Sequence, residues 1–159
     1  MGPSESFTIR RGSLADAETI MAHRRAMFFD MGYRDAKWLD DMAAAFLPWL
    51  RPKMESGEYL AWFAVAPDCS IVAGAGLWLM DWPPHMIGGA SRRGNIVNVY
   101  TEAAHRRKGL ARRLMNVVLD WCRAERVPVI ILHASDEGRL LYESLGFRPT
   151  NEMRIELDV

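Results

Sequence analysis

The sequence predicts an α/β (α+β) fold in which a single central mixed β-sheet is flanked by helices. One observation is that strand-like and helix-like runs follow one another over residues 1–159 without a linker, which indicates one domain. A second is a strand–helix–strand unit over residues 95–132, which implies a right-handed parallel crossover. A third is the hairpin signal over residues 59–80, which implies antiparallel neighbours. A sheet with both kinds of pairing is mixed.

The first strand and first helix have clear local signals. Residues 7–10 alternate apolar and polar side chains, as a half-buried strand does. Ser13 and Asp16 have the spacing of a capping box, which opens a helix. Apolar residues at helical spacing then predict that this helix continues to about Phe29.

A second helix and a hairpin are predicted to follow. The helix begins near Asp35, and Pro48 and Pro52 are expected to break or kink it because proline lacks an amide hydrogen. Two apolar, aromatic-rich runs over residues 59–66 and 70–80 are separated by a short polar turn, which is typical of a hairpin.

The second half of the chain alternates between strands and helices. Glycine and proline mark the loop, β-branched residues mark the strands, and apolar residues at helical spacing mark the helices. The predicted elements are a loop over 81–94, a strand over 95–101, a helix from Leu110, a strand over 128–132, a helix over 136–145 and one or two closing strands over 147–157.

Composition and charge exclude several classes of protein. The 159 residues include 20 Lys and Arg against 20 Asp and Glu, and this balance argues against a protein that mainly binds nucleic acid or an anionic membrane. No apolar stretch approaches the roughly 20 residues that span a bilayer. Residues 1–6 lack the pattern of a signal peptide. Cys69 and Cys122 form no disulfide framework or metal-binding pattern, so a cytoplasmic protein is expected.

A cationic cluster interrupts the overall charge balance. A single Glu102 accompanies five cations between residues 101 and 113, namely Arg106, Arg107, Lys108, Arg112 and Arg113. A strand runs into this loop, and the small residues Gly109 and Ala111 open a helix whose first amides and dipole favour an anion.

Three other interpretations of the cluster are open. One is a solvated loop with arginines on an exposed helix face. A nucleotide-binding loop is a weak alternative, because neither glycine-rich nucleotide motif is present. Nucleic-acid binding fits the charge, but no second basic stripe accompanies it.

Two motifs connect the chain with a known family. Residues 106–111, Arg-Arg-Lys-Gly-Leu-Ala, resemble the Arg/Gln-x-x-Gly-x-Gly/Ala signature of the GCN5-related N-acetyltransferase (GNAT) superfamily. Residues 140–147 are similar to its closing helix motif, leucine-tyrosine-glutamate-x-x-glycine-phenylalanine. The resemblance implies an acetyl-CoA-dependent enzyme that acetylates a primary amine by direct attack in a ternary complex. The alternative is a non-catalytic module that binds acetyl-CoA or CoA.

The resemblance also implies which residues hold acetyl-CoA. The loop amides would bind the pyrophosphate, and the pantetheine would lie along the backbone of the preceding strand like an added strand. The implied residues are Val99, Thr101, Arg106, Arg107, Lys108, Gly109, Leu110, Ala111, Arg112, Ser135 and Tyr142. The amide of Val99 would stabilise the thioester oxygen.

The implied general acid is Tyr142, which would protonate the departing thiolate. A free phenol titrates near 10, so the hydroxyl would be protonated at neutral pH. The alternative is a tyrosine packed on a helix face with its hydroxyl satisfied. Ser135 stands where many relatives carry a cofactor-contacting asparagine, so that contact depends on a hydroxyl here.

The general base is left open by the sequence. Asn95 stands approximately where relatives often carry a glutamate, and it cannot accept a proton. The candidates are Asp81, Glu102, His133, Glu152 and a water chain. His133 is the most suggestive because it ends a predicted strand beside the cofactor slot, although a structural histidine is the alternative. No metal is expected, since the four histidines lack ligand spacing.

An acceptor pocket is expected between the first two helices and the hairpin. Its candidate residues are Arg24, Phe28, Met31, Trp78 and Trp82, each of which could instead belong to the core. The acceptor is expected to be a small-molecule or peptide amine. Trp38, Trp49 and the alternating residues 154–157 could support a homodimer.

Overall fold

The computed structural model describes residues 6–89 and 91–159. The strands are β1 (Thr8–Arg11), β2 (Tyr59–Val65), β3 (Ile71–Asp81), β4 (Arg92–Thr101) and β5 (Ile130–Leu132), and the helices are α1 (Ala17–Asp30), α2 (Ala36–Ser56), α3 (Leu110–Ala124) and α4 (Asp136–Ser144). Short 3-10 turns over residues 14–16 and 103–105 precede α1 and α3. Residues 1–5, considered for a signal peptide, and residue 90 of the predicted loop lie outside the described residues.

The strands form one mixed sheet in the order β1-β2-β3-β4-β5. The first four strands pair antiparallel, and β4 pairs parallel with β5 through the connection that contains α3. The predicted mixed sheet is therefore confirmed. The Ser13 amide donates to the Asp16 carboxylate at 2.8 Å at the 3-10 turn that leads into α1, and α1 ends at Asp30, close to the predicted end.

Helix α2 continues through both of its prolines, so of the predicted break or kink the break is wrong. Pro48 and Pro52 lie four residues apart and both are exposed. The opposite face of the helix carries Phe46 and Leu50, which are buried in the core. Burial of that face compensates for the missing amide donors, because tertiary packing provides most of a helix's stability in a folded protein.

The closing strands predicted over residues 147–157 are absent from the described residues. Among residues 6–89 and 91–159, no strand follows α4 and none pairs with the outer side of β5. A strand is stable only when a second strand satisfies its backbone groups, and the described residues place none beside that segment. The sheet is consequently open at β5.

Apolar clusters cover both faces of the sheet. Alternate residues of β2 enter different clusters, with Trp62 and Ala64 packing toward the α3 side and Tyr59 and Phe63 toward α1 and α2. Burial on both faces explains why β2 and β3 are almost continuously apolar. Within residues 6–89 and 91–159, none of the helices has the length and hydropathy that crossing a bilayer requires.

His23 is a buried titratable group in this core. It is 7% exposed on α1, and its ring centroid lies 5.0 Å from that of Tyr100 and 6.2 Å from that of Phe63. Desolvation lowers the pKa of its imidazole to about 4. The ring is therefore neutral at neutral pH.

The free energy of unfolding is expected to fall as the pH drops from 6.5 toward 4. In that window the unfolded chain protonates His23 and the folded chain does not, which corresponds to a loss on the order of 3 kcal/mol. Urea unfolding of the wild type and of His23→Leu at pH 7 and near pH 4 tests this. The variant should lose that component of the pH dependence, whereas a His85→Gln control at an exposed site should keep it. Equal pH dependence in all three proteins would contradict the prediction.

Candidate functional site

The loop between β4 and α3 contains two residues in the left-handed region. Arg107 has φ +60° and Gly109 has φ +75°. A Cβ built on Gly109 would meet nothing within 4 Å, so the backbone borders open space there. Arg107 is exposed, and its side chain makes no hydrogen bond or ion pair with the described residues.

The N-terminus of α3 has uncapped amides beside this space. Gly109 is its N-cap, and no side chain caps the helix. The first bond into the helix runs from the Arg113 amide to the Gly109 carbonyl at 3.1 Å. Helical geometry thus leaves the amides of residues 110–112 without a partner within the helix. Uncapped amides at the positive end of a helix dipole suit an anion.

Arg106 braces the loop against its neighbours. Its guanidinium pairs with the Asp30 carboxylate at the end of α1, and its Nε donates to the Thr101 carbonyl at 2.9 Å. These contacts tie α1, the end of β4 and the loop together. The side chain therefore shapes the loop, and its charge is partly neutralised by Asp30.

The side chains of Arg112, Arg113 and Lys108 contact different parts of the fold. Arg112 donates to the Ser144 hydroxyl at 2.8 Å, which joins α3 to α4. Arg113 donates to the Phe7 carbonyl at 2.8 Å, and the Lys108 ammonium lies 5.6 Å from the centroid of the Phe7 ring. Arg106, Arg112 and Arg113 thus anchor the loop and α3 to neighbouring segments, whereas Arg107 makes no side-chain hydrogen bond or ion pair with the described residues.

The end of β4 has a free backbone edge. The Glu102 amide donates to the Val72 carbonyl at 2.9 Å, so strand alternation turns the amides of Val99 and Thr101 away from β3. Pairing with β5 stops at Ile96, which leaves these amides beyond the last pair of the sheet. A ligand that mimics an extended strand could add to this edge.

A β-bulge at Asn98 separates the paired and free parts of β4. The register changes between Gly74 and Gly76, and Asn98 has φ +55°. Its side chain is buried, donates to the Tyr59 hydroxyl at 2.9 Å and accepts from Arg24 Nη1 at 2.9 Å. Sequence reasoning missed Asn98, although asparagine tolerates the left-handed region and two glycines lie on the adjacent strand.

Tyr142 lies half-buried on α4. Burial raises the pKa of its phenol, so the hydroxyl is protonated at neutral pH. Its ring centroid is 6.0 Å from that of Phe147. Gly138, one turn earlier, makes room for the ring, because a Cβ there would lie 2.8 Å from Cε2 of Tyr142.

Ser135 has a structural role that the sequence analysis did not identify. It is the N-cap of α4, and its Oγ accepts a hydrogen bond from the Gly138 amide at 3.2 Å. The hydroxyl hydrogen is still available to donate. A cofactor contact through this hydroxyl is compatible with the cap.

The candidate bases lie in three different places. His133 follows β5 and is exposed, with its Nε2 3.5 Å from Oε1 of Glu152. Asp81 ends β3, whereas Glu102 follows β4 and lies 3.7 Å from His105. The strand end that the sequence predicted for His133 is confirmed, and the chemical role of each candidate stays a prediction.

Two acceptor candidates are in direct contact on α1. The Arg24 guanidinium lies 4.9 Å from the ring centroids of both Phe28 and Phe46. Burial lowers its pKa, although the guanidinium stays charged. Met31 follows α1 directly and is exposed. This half of α1 presents a cation and apolar side chains close to the β4 bulge.

The two tryptophan candidates lie elsewhere. Trp78 packs edge-to-face on Trp49 of α2, with 5.1 Å between ring centroids, and belongs to the core on that side. Trp82 lies beside β4 at the end away from Thr101, and the Arg93 guanidinium stacks 4.1 Å from its ring. The ten residues of β4 make that separation roughly 30 Å.

Comparisons with known proteins identify the family. The model of the "Acetyltransferase (GNAT) family" matches residues 18–147, so the chain belongs to that family. A GCN5-related N-acetyltransferase from Ralstonia eutropha JMP134 is 33% identical, with a TM-score of 0.89 over 96% of this chain and 99% of that one. A predicted acetyltransferase from Clostridium acetobutylicum, solved with acetyl-CoA, is 25% identical, with a TM-score of 0.86 over 96% of each chain.

A more distant structure shares the fold. An aminoglycoside acetyltransferase from an uncultured soil metagenomic sample is 23% identical, with a TM-score of 0.70 over 97% of this chain and 99% of that chain. A comparison with curated proteins gives no match. In the part of the chain that the structure describes, no group of three or more His, Cys, Asp or Glu side chains could hold a metal ion.

Proposed function

We propose that this chain is an acetyl-CoA-dependent N-acetyltransferase that acetylates the primary amine of a small-molecule or peptide acceptor in a ternary complex. Family membership supports acetyl transfer in general. The observation that carries the proposal is the continuity of two free donor sets, the amides of residues 110–112 and the outer edge of β4 at Val99 and Thr101. One short loop joins them, so a ligand with a diphosphate and an extended amide chain can use both.

The residues of the loop fit the diphosphate of acetyl-CoA. The amides of residues 110–112 donate to its oxygens, and Arg107 and Lys108 add positive charge. Leu110 contributes only its amide because its side chain is buried. Arg106 acts as a positioning residue through Asp30.

The free edge of β4 positions the reacting group. The amides of Val99 and Thr101 lie on the side that would face the pantetheine, while the Thr101 carbonyl is engaged by Arg106. Acetyl-CoA, when bound, supplies the acetyl thioester. The Val99 amide then donates to the thioester oxygen, where negative charge develops as the amine attacks.

Proton transfers complete the proposed reaction. A bond forms between the acceptor nitrogen and the acetyl carbon while the carbon–sulfur bond breaks. Tyr142 gives its hydroxyl proton to the departing thiolate, and the amine loses a proton to one of the candidate bases or to water. His133 with Glu152 is the candidate pair on the α4 side of the sheet.

The acceptor is proposed to enter beside α1. Arg24, Phe28 and Met31 lie on that side of the β4 bulge, and Asn98 holds the Arg24 guanidinium in place. Trp82 is a proposed contact only for a peptide acceptor long enough to run along β4, and Trp78, which packs against Trp49 in the core, is not proposed as a contact.

The Gly109→Ala substitution is expected to weaken acetyl-CoA binding at least tenfold, or about 1.4 kcal/mol. Its Cβ would project into the open space that borders Gly109, the N-cap of α3. Gly57→Ala is a matched control, because Gly57 has φ +78° and also has nothing within 4 Å. Both variants should lose a similar free energy of unfolding, about 1 kcal/mol, but only Gly109→Ala should lose affinity in calorimetry. Equal affinity in the two variants would reject the loop as the binding site.

An amine panel tests catalysis itself. Wild-type protein is incubated with acetyl-CoA and small amines, amino acids, aminoglycosides and peptides, and free thiol is measured. Amine-dependent thiol release is the expected result. Binding of acetyl-CoA without release for any amine would favour the non-catalytic module, and absence of binding would reject both functions.

A further inference from the structure

Arg24 on α1 is a partly buried cation for which the described residues provide no carboxylate partner. Its Nη1 donates to the side-chain oxygen of Asn98 at 2.9 Å, and that amide group is neutral. Its Nε is enclosed and has no hydrogen-bond acceptor among the described residues. Burying a charge costs free energy unless an opposite charge or a full set of hydrogen bonds compensates it. The charge of this guanidinium is therefore only partly compensated within the fold.

Other arginines on the same two helices do have carboxylate partners. Arg25 follows Arg24 on α1, and its Nε pairs with Oδ1 of Asp40 at 2.7 Å. Arg51 on α2 pairs with Oε1 of Glu18 at 3.3 Å. Both pairs lie at the surface, where a salt bridge contributes little to stability. The arginine with an enclosed Nε is the one left without a carboxylate, so an ion pair within the fold does not explain its position.

Two phenylalanine rings hold the Arg24 guanidinium in place. Its central carbon lies 4.9 Å from the ring centroids of both Phe28 and Phe46. Attraction to these rings and the hydrogen bond to Asn98 together restrict the side chain to one orientation. A guanidinium that is already oriented loses little conformational entropy when it binds an anion, so this arrangement suits a ligand site.

The guanidinium also lies next to the place where the acceptor amine is proposed to react. Its partner Asn98 directly precedes Val99, whose amide is proposed to hold the thioester oxygen. Neighbouring α-carbons are only about 3.8 Å apart across a trans peptide. A group that is a few bonds from the attacking nitrogen is consequently within reach of Arg24.

We infer that Arg24 determines the class of the acceptor by pairing with the carboxylate of a free amino acid, whose amine attacks the thioester. The inference rests on the proposed acetyl transfer. Nη2 carries N–H donors that make no hydrogen bond within the described residues and, unlike Nε, are not enclosed. A carboxylate can accept from them, and such charge-assisted hydrogen bonds are about twice as strong as neutral ones.

The charge of Arg24 favours a free amino acid over the other acceptor classes. In an amino acid the amine and the carboxylate share one carbon, whereas a peptide has a neutral carbonyl beside its terminal amine. A neutral acceptor would displace water from the guanidinium without supplying an opposite charge. An aminoglycoside carries further ammonium groups, which the guanidinium would repel. An amino acid is the class that compensates this charge.

Paired acceptors test the role of the carboxylate in catalysis. Leucine and leucinamide are compared by kcat/KM for thiol release, and Arg24→Gln should lower the leucine-to-leucinamide ratio about tenfold or more. The two amines differ in basicity, but this difference cancels when the ratio is compared between protein variants. Loss of packing alone would lower both values and leave the ratio unchanged. An unchanged ratio in Arg24→Gln would overturn the inference.

Two further variants serve as controls for that ratio. Arg24→Lys keeps the positive charge and should retain part of the preference for leucine, which a purely structural role would not require. Arg25→Gln changes the next residue of α1 and breaks only the surface pair with Asp40, so the ratio should equal that of the wild type. Far-UV circular dichroism verifies that each variant is folded.

A binding experiment distinguishes failure of this inference from failure of the proposed function. N-acetylleucine and N-acetylleucinamide, the corresponding products, are titrated into wild-type protein and Arg24→Gln in the presence of CoA, and Kd is measured by calorimetry. The wild type should bind the carboxylate about tenfold or more tightly than the amide, and the variant should lose this preference. Equal binding of the two compounds, or binding of neither, would overturn the inference even if other amines release thiol. A carboxylate preference without thiol release from any amine would support the site and reject acetyl transfer.

Discussion

Gly76→Ala is expected to lower the free energy of unfolding by about 3 kcal/mol or more. An added Cβ would overlap the Tyr59 hydroxyl, lie 2.6 Å from its Cζ and 3.0 Å from the Val97 carbonyl oxygen. Tyr59 is 1% exposed, so its ring cannot move aside without disturbing the core. Any displacement would also break its hydrogen bond with Asn98 at the β4 bulge. Urea unfolding of the wild type and the variant measures the loss.

A double-mutant cycle isolates the cause of that loss. Tyr59→Phe removes the hydroxyl that the new Cβ would meet, and by itself should cost about 1–3 kcal/mol because Asn98 loses a partner. Gly76→Ala combined with Tyr59→Phe should be more stable than the sum of the two single losses predicts. Two outcomes would contradict the packing described for this position: single losses in the free energy of unfolding that add exactly in the double variant, or a Gly76→Ala variant as stable as the wild type.

Tyr142→Phe is expected to lower kcat about a hundredfold with an acetyl-CoA Kd close to that of the wild type. The substitution removes the proton that the departing thiolate takes up and leaves the half-buried ring in place against Phe147. Because burial raises the pKa of this phenol, the wild-type hydroxyl stays protonated throughout neutral pH, and the effect should be constant there. The measurement is steady-state thiol release with an amine that the panel identifies.

Two companion variants separate chemistry from packing. Phe147→Leu changes the neighbour of the Tyr142 ring but keeps the phenol, so kcat should fall far less than in Tyr142→Phe. Gly138→Ala keeps the phenol and pushes its ring, since the new Cβ would lie 2.8 Å from Cε2. It should reduce kcat while acetyl-CoA affinity is retained. Turnover unchanged in Tyr142→Phe would remove this residue from the acid role.

The sequence predicts most of the sheet because the relevant signals are local. The β-branched and aromatic runs identify the strands, and the parallel crossover between β4 and β5 follows from the helix between them. The break predicted at Pro48 and Pro52 is wrong because the rule that proline ends a helix considers only the local sequence. Burial of the opposite face stabilises α2. The closing strands are predicted wrongly for a different reason. Residues 152–159 have the alternating pattern of a strand, but a strand also needs a neighbouring strand, which the local sequence does not specify.

For the candidate site, the sequence by itself determined the loop, because Gly109 and the surrounding cations are adjacent in the chain. Only the tertiary structure decided which of those cations are paired with other segments, since the ion pair of Arg106 with Asp30 joins residues 76 positions apart. It also decided the bulge at Asn98, whose buried side chain bonds to Tyr59 and Arg24 from separate elements. Local conformation follows from neighbouring residues, whereas hydrogen bonds and burial between distant segments depend on how the whole chain packs.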